Sequence, residues 1–543
     1  MKYIFISGGV ISGLGKGITA ASIAKLLQAK GYKVTNVKCE MYVNIDAGTI
    51  RPTEHGEVFV TVDGVETDQD IGSYERFIGD DLRSANFLTT GQIYQTVISR
   101  ERNLEYDGED VEVVPHVPEE IIRRVKEAGK KTGAEFIIVE LGGTVGEYQG
   151  VLFLEANRMM KLKDPKNVSH IHVSYLPLPS TLGEMKTKPV QYSVRTLNAA
   201  GIQPDFVVGR AVLPLDDKRK EKISLFCGVA KENVISNPDV KSIYEIPLIF
   251  EEQKFGEKIL KHFGMKPRQQ SDLREWRKMV NVIKTAKKEV KIGIVGKYFQ
   301  TGDFTLEDSY VSVIEAVKHA SWAQNLKPVI QWLISEKYEQ DSKALNELRQ
   351  YDGIIVPGGY GSRGVEGKIL AVEFCRKNKI PFFGLCLGLQ MAVIEFARNV
   401  CGIKKANSAE FCPDCADKVI DSMAEQKALL KEKKYGGTNR LGAYQCQLKA
   451  GTISRKAYGC ELISERHRHR YEVNNEYREI LEKKGLIMAG LNPEMGLVEI
   501  IELPKSKHPF FVGTQFHPEF KSRPVAPHPL FREFIKKCLT AKK

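Results

Sequence analysis

Short apolar runs bounded by glycines or polar residues recur along both halves of the chain. In the first half they predict buried strands, and residues 17–32 (GITAASIAKLLQAKGY) repeat apolar positions at the three- and four-residue spacing of a helix. The predicted strands of this half are residues 2–9, 33–38, 134–143, 169–178 and 204–212. Strands that alternate with helices indicate a mostly parallel sheet covered by helices.

A second series of the same kind follows a polar, lysine-rich stretch. Its predicted strands are residues 290–298, 327–335, 351–359, 380–386 and 509–516. The stretch itself contains Leu273, Trp276, Met279 and Val280, which predict a helix within it. The predicted division is a domain over residues 1–265, a linker over residues 266–290 and a second domain over residues 291–543.

The composition is that of an ordinary globular chain. Of its 543 residues, 42% are hydrophobic and 27% are charged. No apolar run approaches the ~20 residues that a membrane helix needs. The N-terminus reads as a strand that runs into glycines rather than as a signal peptide, and the ten cysteines show no disulfide-like spacing. We therefore expect a cytoplasmic protein with no membrane partner.

The net charge of +12 comes from 80 Lys and Arg against 68 Asp and Glu. No aromatic-interleaved basic tract or nucleic-acid-binding module accompanies it, so nucleotide substrates explain the surplus better than nucleic acid does. A solvated surface without functional meaning is an equal alternative for most of these lysines. Cys412 and Cys415 (FCPDC) have the spacing of half a zinc site. Without a second pair nearby, a structural or incidental pair is favoured over a metal clip.

The first glycine-bearing turn, SGGVISGLGKGIT, follows the first predicted strand and opens a helix. Glycines let backbone N–H groups face an anion, and Lys16 adds a mobile positive charge. The spacing departs from a strict G-x-x-x-x-G-K-[ST], because Val10 replaces the first glycine and Gly17 replaces the hydroxyl residue. A glycine-rich turn without a ligand is the alternative. Mg²⁺ would then need carboxylates, and Glu140 at a strand end and Asp70 in an acidic loop are the candidates.

The second glycine-bearing turn, GLCLG, places Cys386 between a predicted strand and a predicted helix. This is the thiol version of the strained turn that exposes a nucleophile, and a helix N-terminus favours the thiolate. A buried packing cysteine is the alternative. His517 and Glu519 in GTQFHPEF stand two residues apart, so the carboxylate can orient the imidazole. The N–H groups of Gly359, which follows Gly358 at a strand end, and of Leu387 could form an oxyanion hole.

Six segments spread over essentially the whole chain together resemble the CTP synthase family. They are SGGVISGLGKG, HGEVFV, ETDQDIGSYERF, VELGGTVGE, EMKTKPVQ and ERHRHRYEVNN. The resemblance implies an α/β fold, with an N-terminal P-loop-type (dethiobiotin synthetase-like) parallel-sheet domain followed by a class I glutamine amidotransferase domain. It implies amination of UTP at C4 to CTP, with ATP, Mg²⁺ and ammonia from glutamine. A 4-phosphorylated UTP would be the intermediate, and ADP, phosphate and glutamate the other products.

The resemblance also implies residue roles in the first domain. Lys16 and Lys38 would assist transfer of the γ-phosphoryl group, and Asp70 and Glu140 would hold Mg²⁺. The residues implied in ATP binding are Gly13, Leu14, Gly15, Lys16, Gly17, Ile18, Asp70, Arg210, Pro238, Asp239 and Val240. Those implied in UTP or CTP binding are Ser12, Glu147, Tyr148, Gln149, Lys186, Thr187, Lys188, Pro189, Val190, Gln191 and Lys222.

In the second domain, the resemblance implies that Cys386 forms a glutamyl thioester and that ammonia passes internally to the synthetase site. The residues implied in binding glutamine or its oxyanion are Gly359, Leu387, Gly388, Leu389, Gln390, Glu410 and Arg470. Gly436–Gly442 (GGTNRLG) resembles a mobile lid that, with Tyr360, would respond to the activator GTP. CTP would be product and inhibitor, and the chain would form a homotetramer as a dimer of dimers, sometimes assembled into filaments.

Three segments depart from the family pattern. Glu147, Tyr148 and Gln149 stand where the family usually has Asp-Ile-Glu, which puts the strength of CTP feedback in doubt. KCEMYVN (38–44) stands where Lys-Leu-Asp-Pro-Tyr is typical, and the loop of residues 298–310 is a few residues longer than usual. Two other functions compete: a different P-loop amidoligase, such as a cobyric acid synthase type, and a partitioning ATPase or polymer-forming scaffold with a decayed glutaminase. The KTKPVQ segment and the intact cysteine, histidine and glutamate argue against both.

Overall fold

The chain is analysed as a computed structural model that describes residues 1–180, 183–296, 300–301, 304–305, 307–422 and 436–540. Its contacts define two compact units that do not follow chain order. The first contains Met1–Asp46 and Asp70–Val280, and the second contains Ala47–Gln69 and Asn281–Lys543. Part of the loop of residues 298–310, expected to be longer than usual, lies outside the described residues, namely 298, 299, 302, 303 and 306.

The first unit is built on a parallel sheet of seven strands. With strands numbered along the whole chain, they are β1 (Lys2–Gly9), β2 (Val34–Glu40), β5 (Phe87–Thr89), β6 (Phe136–Leu141), β7 (Val168–Tyr175), β8 (Phe206–Ala211) and β9 (Val234–Pro238). Their spatial order is β5-β2-β6-β1-β7-β8-β9. All of the pairings are parallel. The carboxyl ends of these strands therefore meet at one edge, where open α/β sheets bind ligands.

Helices cover both faces of this sheet, as a buried parallel sheet requires. They are α1 (Lys16–Ala29), α3 (Gln69–Ile78), α4 (Thr90–Arg102), α5 (Val113–Thr132), α6 (Val151–Lys163), α7 (Lys188–Ala199), α8 (Asp217–Cys227), α9 (Ile246–Glu252), α10 (Phe255–His262) and α11 (Arg274–Thr285). The helix predicted within the lysine-rich stretch is confirmed as α11. Its Trp276 is buried and donates a hydrogen bond to the carbonyl of Tyr244 at 2.8 Å.

The second unit contains a mixed sheet of nine strands. They are β10 (Glu289–Gly296), β13 (Lys327–Ile334), β14 (Gly353–Val356), β15 (Phe382–Leu385), β18 (Arg440–Leu448), β19 (Leu462–His469), β21 (Ile487–Leu491), β22 (Val498–Glu502) and β23 (Phe511–Thr514). Their order is β13-β10-β14-β15-β23-β22-β21-β18-β19. The pairings from β13 to β23 are parallel, and the rest are antiparallel. The sequence pattern predicted the parallel part and missed the antiparallel part.

Smaller elements complete the second unit. The other strands are β3 (Phe59–Val60), β4 (Glu66–Thr67), β11 (Gln300–Thr301), β12 (Phe304–Thr305), β16 (Asn407–Ser408), β17 (Lys418–Ser422) and β20 (Tyr471–Val473). The helices are α2 (Pro52–His55), α12 (Val311–Trp322), α13 (Ser335–Gln340), α14 (Val365–Asn378), α15 (Leu387–Asn399), α16 (Ile453–Tyr458), α17 (Arg478–Lys483) and α18 (Pro529–Thr540). Within the described residues, no helix combines the length and the apolar character needed to cross a bilayer.

Successive residues of each core strand point to opposite faces of the sheet, and each face has its own apolar cluster. On β15, Phe382 packs with Leu389 and Met391 of α15 on one face. Its neighbour Phe383 packs with Phe531 of α18 on the other face. This double burial fixes the position at which β15 ends and α15 begins. The predicted α/β class, with a parallel sheet in the N-terminal half, is confirmed.

Candidate active sites

The first glycine-bearing turn connects the end of β1 to the start of α1. Gly13 and Gly15 adopt positive φ angles of 67° and 84°, which the turn requires and which glycine adopts without strain. Val10, at the position of the missing glycine, is also held at a positive φ of 88°. The turn therefore keeps a glycine-like backbone at this position despite the substitution. It leads into the N-terminus of α1, where free N–H groups and the helix dipole favour an anion.

Gly17 explains why the usual hydroxyl residue is absent from this turn. A Cβ at this position would overlap Asp70 Oδ1 and would lie 3.3 Å from Glu140 Oε2. The two carboxylates predicted as metal ligands thus converge on the first turn of α1, where a serine or threonine would otherwise stand. Lys16 extends back over Gly8, where a Cβ would lie 2.7 Å from the lysine Cδ, and donates to the carbonyl of Gly143.

Lys38 lies at the centre of three carboxylates of this unit. Its Nζ is 3.1 Å from Glu140 Oε1, 3.1 Å from Glu40 Oε1 and in contact with Asp70 Oδ2. Tyr74 donates its hydroxyl hydrogen bond to the other oxygen of Glu140. Sequence reasoning selected Lys38, Asp70 and Glu140, but it missed Glu40 and Tyr74. Their only signal was proximity in sequence to Lys38 and Asp70.

The electrostatics of this cluster follow from its burial. Burial raises the pKa of Glu140, and the charge of Asp70 raises it further, while Lys38 and Lys16 act in the opposite direction. Burial lowers the pKa of Lys16, and the charge of Glu140 offsets part of that effect. Buried carboxylates of like charge are costly unless a cation joins them. Lys38 supplies that cation in the structure.

The residues predicted beside ATP and beside the pyrimidine nucleotide form two further groups of the first unit. Arg210, at the end of β8, donates to the carbonyl of Pro238 at 3.1 Å and pairs with Asp239 at 2.8 Å. A Cβ at Gly15 would lie 3.9 Å from Arg210 Nε, so this group borders the phosphate turn. Of the residues predicted beside the pyrimidine nucleotide, Lys186 and Lys222 lie near Glu184. This carboxylate pairs with Lys186 at 3.2 Å, and Lys222 on α8 also lowers its pKa, after Lys186 and Arg219.

Two of the departures from the family pattern lie side by side. Gly143 follows β6, and a Cβ there would overlap Met41 Cε and would lie 2.7 Å from Glu147 Oε2. Met41 Sδ also approaches Gly150, where a Cβ would lie 3.0 Å away. Tyr148, between these positions, is 95% exposed. The unusual methionine thus packs beneath the substituted 147–149 segment.

Cys386 occupies the turn between β15 and α15 with φ 51° and ψ −100°. A positive φ is strained for any residue with a Cβ, and it is the conformation that exposes a nucleophile at the head of a helix. The flanking glycines are sterically required. A Cβ on Gly384 would lie 2.7 Å from the Gly388 carbonyl carbon, and one on Gly388 would overlap the carbonyl oxygen of Val356.

His517 and Glu519 form the predicted pair, with His517 Nδ1 2.6 Å from Glu519 Oε1. The imidazole stacks on Phe520 with ring centroids 4.9 Å apart. Burial alone would lower the pKa of His517, but the charges of Glu519 and then Cys386 outweigh it and raise this pKa to about 10. The arrangement therefore favours the imidazolium form of His517 beside Cys386. The structure thus gathers Cys386, His517 and Glu519 as the sequence predicted.

These side chains open into one cavity of about 570 Å³ within the second unit. Its lining residues include Gly358, Gly359, Tyr360, Cys386, Glu410, Arg470, His517 and Glu519. Glu410 accepts a hydrogen bond from the N–H of Gly361 at 2.7 Å, and Arg470 donates to Thr438 of the lid segment at 2.8 Å. Gln390 and Leu389 lie behind the cysteine turn: the amide of Gln390 donates to the carbonyl of Tyr471 at 2.8 Å, and Leu389 belongs to the core.

Sequence reasoning missed the contribution of residues 47–69 to this cavity. Gly48, Thr49, Ile50, Arg51, Pro52, Glu57 and Val58 all line it. Successive arginines of β19 hold the segment: Arg466 donates to the carbonyl of Val60 at 3.0 Å, and Arg468 pairs with the buried Glu66 at 2.8 Å. HGEVFV and ERHRHRYEVNN were read as separate motifs, and their contact is what makes them one site.

Comparisons with known proteins match both halves of the chain. The family models described as CTP synthase N-terminus and glutamine amidotransferase class-I match residues 2–265 and 305–537. A CTP synthase of Caldanaerobacter subterraneus is 51% identical over 543 residues, with 100% of this chain and 99% of the relative covered. The chain belongs to the CTP synthase family. It is therefore an ATP-dependent ligase that hydrolyses glutamine, and it serves pyrimidine nucleotide synthesis.

Other members of the CTP synthase family are as similar. The CTP synthase of Methanocaldococcus jannaschii is 50% identical over 549 residues, with 100% of this chain and 99% of the relative covered. Among solved structures, the glutaminase domain of Trypanosoma brucei CTPS with bound acivicin is 38% identical, with 46% of this chain and 94% of that chain covered and a TM-score of 0.42. Relatives that match over their full length set aside the cobyric acid synthase and scaffold alternatives.

Proposed function

We propose that the enzyme aminates UTP at C4, using the γ-phosphoryl group of ATP to activate the uracil oxygen and the amide of glutamine as the nitrogen source. The observation that carries this proposal is the presence of two chemically distinct sites in one chain. One unit has a lysine and carboxylate cluster at a helix N-terminus, and the other has a cysteine, histidine and glutamate set around a cavity.

In the glutaminase site, the Cys386 thiolate attacks the amide carbon of glutamine and forms a tetrahedral oxyanion. The N–H groups of Gly359 and Leu387 stabilise that charge, and the His517 imidazolium protonates the departing nitrogen. Ammonia leaves, and a glutamyl thioester remains on Cys386. His517 then deprotonates a water molecule, which attacks the thioester and releases glutamate. The Cys386 thiolate is the leaving group, and its pair with the His517 imidazolium is restored. Glu410 and Arg470 carry charges that complement the ammonium and carboxylate groups of the substrate.

In the synthetase site, the uracil O4 attacks the γ-phosphorus of ATP, and ADP leaves. Lys16 and Lys38 offset the charge that spreads over the transferred group. Ammonia then attacks C4 and displaces phosphate, which gives CTP. Because phosphate is a far better leaving group than oxide, no protein nucleophile is needed.

Mg²⁺ fits the carboxylates of this site. Asp70 and Glu140 converge on the first turn of α1, and Glu40 joins them around Lys38. Hard cations such as Mg²⁺ prefer carboxylate and water oxygens. When bound, Mg²⁺ would neutralise the phosphate oxygens of ATP, and Asp70 and Glu140 would hold it. Lys38 contacts all three carboxylates and offsets part of their charge in the structure.

UTP would lie against Lys186, Lys188 and Lys222, whose charges match a triphosphate. CTP would compete for the same residues as a feedback inhibitor, and GTP would act as an activator near the lid segment and Tyr360. Gln149 replaces a carboxylate at a position that contacts CTP in the family. A neutral side chain there changes the electrostatics of inhibition, while the lysine cluster used in catalysis is intact.

The same proposal includes a homotetramer. Large apolar side chains are exposed on the first unit, among them Leu225 at 77% and Phe226 at 62% on α8. Adjacent exposed apolar residues indicate a protein–protein contact. Light scattering of the purified chain, with and without UTP and ATP, would give the mass of the assembly. A monomer at micromolar concentration with both nucleotides present would contradict this part.

The proposed reaction is tested with purified enzyme, UTP, ATP, Mg²⁺ and either glutamine or ammonium, while the ultraviolet change from uracil to cytosine is recorded. CTP should form with either nitrogen source. The Lys16→Ala variant should form none with either source, yet it should still hydrolyse glutamine. If glutamine and ATP are consumed without CTP, the substrate assignment fails.

A further inference from the structure

Cys412 and Cys415 lie beside the glutaminase cavity, but the proposed reaction does not use them. The N–H of Cys415 donates to the carbonyl of Cys412 at 3.2 Å, with Pro413 and Asp414 between them, so the four residues form a β-turn. A β-turn keeps the two outer Cα atoms within about 7 Å, and a disulfide needs about 4.4–6.8 Å between them. The turn therefore holds the two Cα atoms close to the spacing that a disulfide requires.

The chemical setting of this pair suits thiol–disulfide exchange. Both cysteines are partly buried, and Pro413 and Asp414 are exposed at the tip of the turn, which gives a small molecule access. The thiol of Cys415 donates to the carbonyl of Cys412 at 2.9 Å. Burial and then the neighbouring Cys412 raise the pKa of Cys415. Because the Cys415 thiol is engaged in this hydrogen bond, Cys412 is the thiol expected to attack first, and Cys415 the one that resolves.

The turn shares its anchor with Glu410. The carbonyl of the buried Ser408 accepts hydrogen bonds from the N–H groups of Phe411 at 3.1 Å and Cys412 at 3.0 Å. The hydroxyl of Ser408 accepts from the N–H of Glu410 at 3.1 Å. Glu410 in turn accepts from the N–H of Gly361 at the cavity wall. Ser408 therefore links the turn to Glu410, so that a change in the turn alters the position of Glu410.

We infer that Cys412 and Cys415 are a redox-active dithiol that low-molecular-weight disulfides oxidise, and that the bond between them weakens glutamine binding through Glu410. This inference rests on the proposed role of Glu410 in holding glutamine. The Cys412 thiolate attacks one sulfur of the small disulfide and expels one thiolate. The Cys415 thiolate then attacks the Cys412 sulfur and expels the second. The protein loses two electrons and two protons, and the small disulfide becomes two thiols. The hydrogen bond from the Cys415 thiol is lost in the process.

The experiment equilibrates the full-length enzyme in mixtures of reduced and oxidised glutathione. Free thiols are then blocked, and peptide mass spectrometry identifies the bonds formed. We expect a bond between Cys412 and Cys415, a rise of about tenfold in the KM for glutamine, and an unchanged rate with ammonium. Dithiothreitol should reverse both changes. If no such bond forms, or if it forms without a change in KM, the inference is wrong.

Cys386 requires a matched control, because its own oxidation would also block glutamine use while sparing ammonium use. The double variant Cys412→Ser and Cys415→Ser, treated in the same way, should keep the KM of the reduced enzyme. If it loses glutamine use as the unmodified enzyme does, Cys386 is the target and the inference fails. If the reduced enzyme makes no CTP from glutamine, the proposed function is wrong. The experiment therefore distinguishes failure of the proposed function from failure of the redox inference.

Discussion

At the residue scale, the proposed mechanism makes glutamine chemistry depend on Cys386 and leaves ammonia chemistry independent of it. We expect Cys386→Ala to abolish CTP formation from glutamine and to leave CTP formation from ammonium within about twofold of the unmodified enzyme. The reason is that the variant removes the thiolate but no group of the first unit. Both rates are measured by the uracil-to-cytosine absorbance change.

Cys460→Ser is the matched control for this variant. Cys460 is exposed, and its thiol donates to the carbonyl of Leu462, the first residue of β19, at 3.6 Å. This control should leave both rates unchanged. Equal loss of both rates in Cys386→Ala, with the far-ultraviolet circular dichroism intact, would show that the two activities are not divided as proposed.

A second residue-scale prediction concerns pH. Burial is the largest influence on His517 and favours the neutral imidazole, but Glu519 and Cys386 favour the imidazolium and raise its pKa to about 10. Glu519→Gln removes the larger of those two charges, so the pKa of His517 should fall. The alkaline limb of kcat/KM for glutamine hydrolysis should then move to lower pH by about one unit or more, with a lower maximum. An alkaline limb that does not move would remove Glu519 from this role.

At the element scale, residues 47–69 show why a site can be larger than its catalytic motifs. Arg468 pairs with Glu66. The guanidinium of Arg468 also lies over the aromatic ring of Tyr360, 5.2 Å from the ring centroid. The hydroxyl of Tyr360 donates to the carbonyl oxygen of Arg468 at 3.0 Å. The same carbonyl oxygen lies 3.8 Å from Cys386 Sγ. Glu66 thus positions a strand that touches both Cys386 and Tyr360 at the wall of the cavity.

We therefore expect Glu66→Gln to lower glutamine-dependent synthesis by about tenfold, since a buried charge-assisted hydrogen bond is worth about 1.5–3 kcal/mol. The rate with ammonium should not change. Glu54→Gln, an exposed carboxylate on α2 of the same segment, is the matched control and should have no effect. A loss of both rates in Glu66→Gln would indicate general destabilisation rather than positioning.

The elements also show which features a sequence reveals. The phosphate turn and the cysteine turn were predictable because each is local: glycines, an apolar strand and a helix start within about 15 residues. Glu40, Tyr74 and Glu66 were not predicted, because their roles arise from contacts between distant parts of the chain. The antiparallel strands β18 to β22 of the large sheet were not predicted either, for a related reason. Three of them, β18, β19 and β22, mix polar and apolar residues, as in β19 with LISERHRH, because a buried pair such as Arg440 and Glu499 takes the place of an apolar face there.

The polar interior of the second unit illustrates that point. Arg440 pairs with Glu499 at 2.8 Å and approaches Glu472 at 3.5 Å, and all three side chains are buried. Burial raises the pKa of Glu472 to about 7 and that of Glu499 to about 8, while Arg440 acts in the opposite direction. A search for apolar periodicity does not detect such a strand, because charged residues occupy buried positions in it.

At the scale of the whole molecule, the two chemistries make sense together only if nitrogen passes from one to the other before it is lost to water. Free ammonia in neutral solution is largely protonated, and ammonium is not a nucleophile. A chain that carries both sites gains by delivering unprotonated ammonia directly. The proposal therefore predicts that nitrogen from glutamine has preferred access to C4 of the pyrimidine.

This preference is measured by isotope competition. The enzyme is supplied with UTP, ATP, Mg²⁺, glutamine labelled with ¹⁵N in its amide, and an excess of unlabelled ammonium. Mass spectrometry of the CTP should show mainly ¹⁵N at the exocyclic position, although unlabelled nitrogen dominates the solution. Cys386→Ala in the same mixture should give unlabelled CTP, which shows that the label arrives through the thioester. If CTP from the unmodified enzyme carries the isotopic ratio of the solution, ammonia equilibrates with water before it reacts, and the two sites are linked by nothing more than their shared chain.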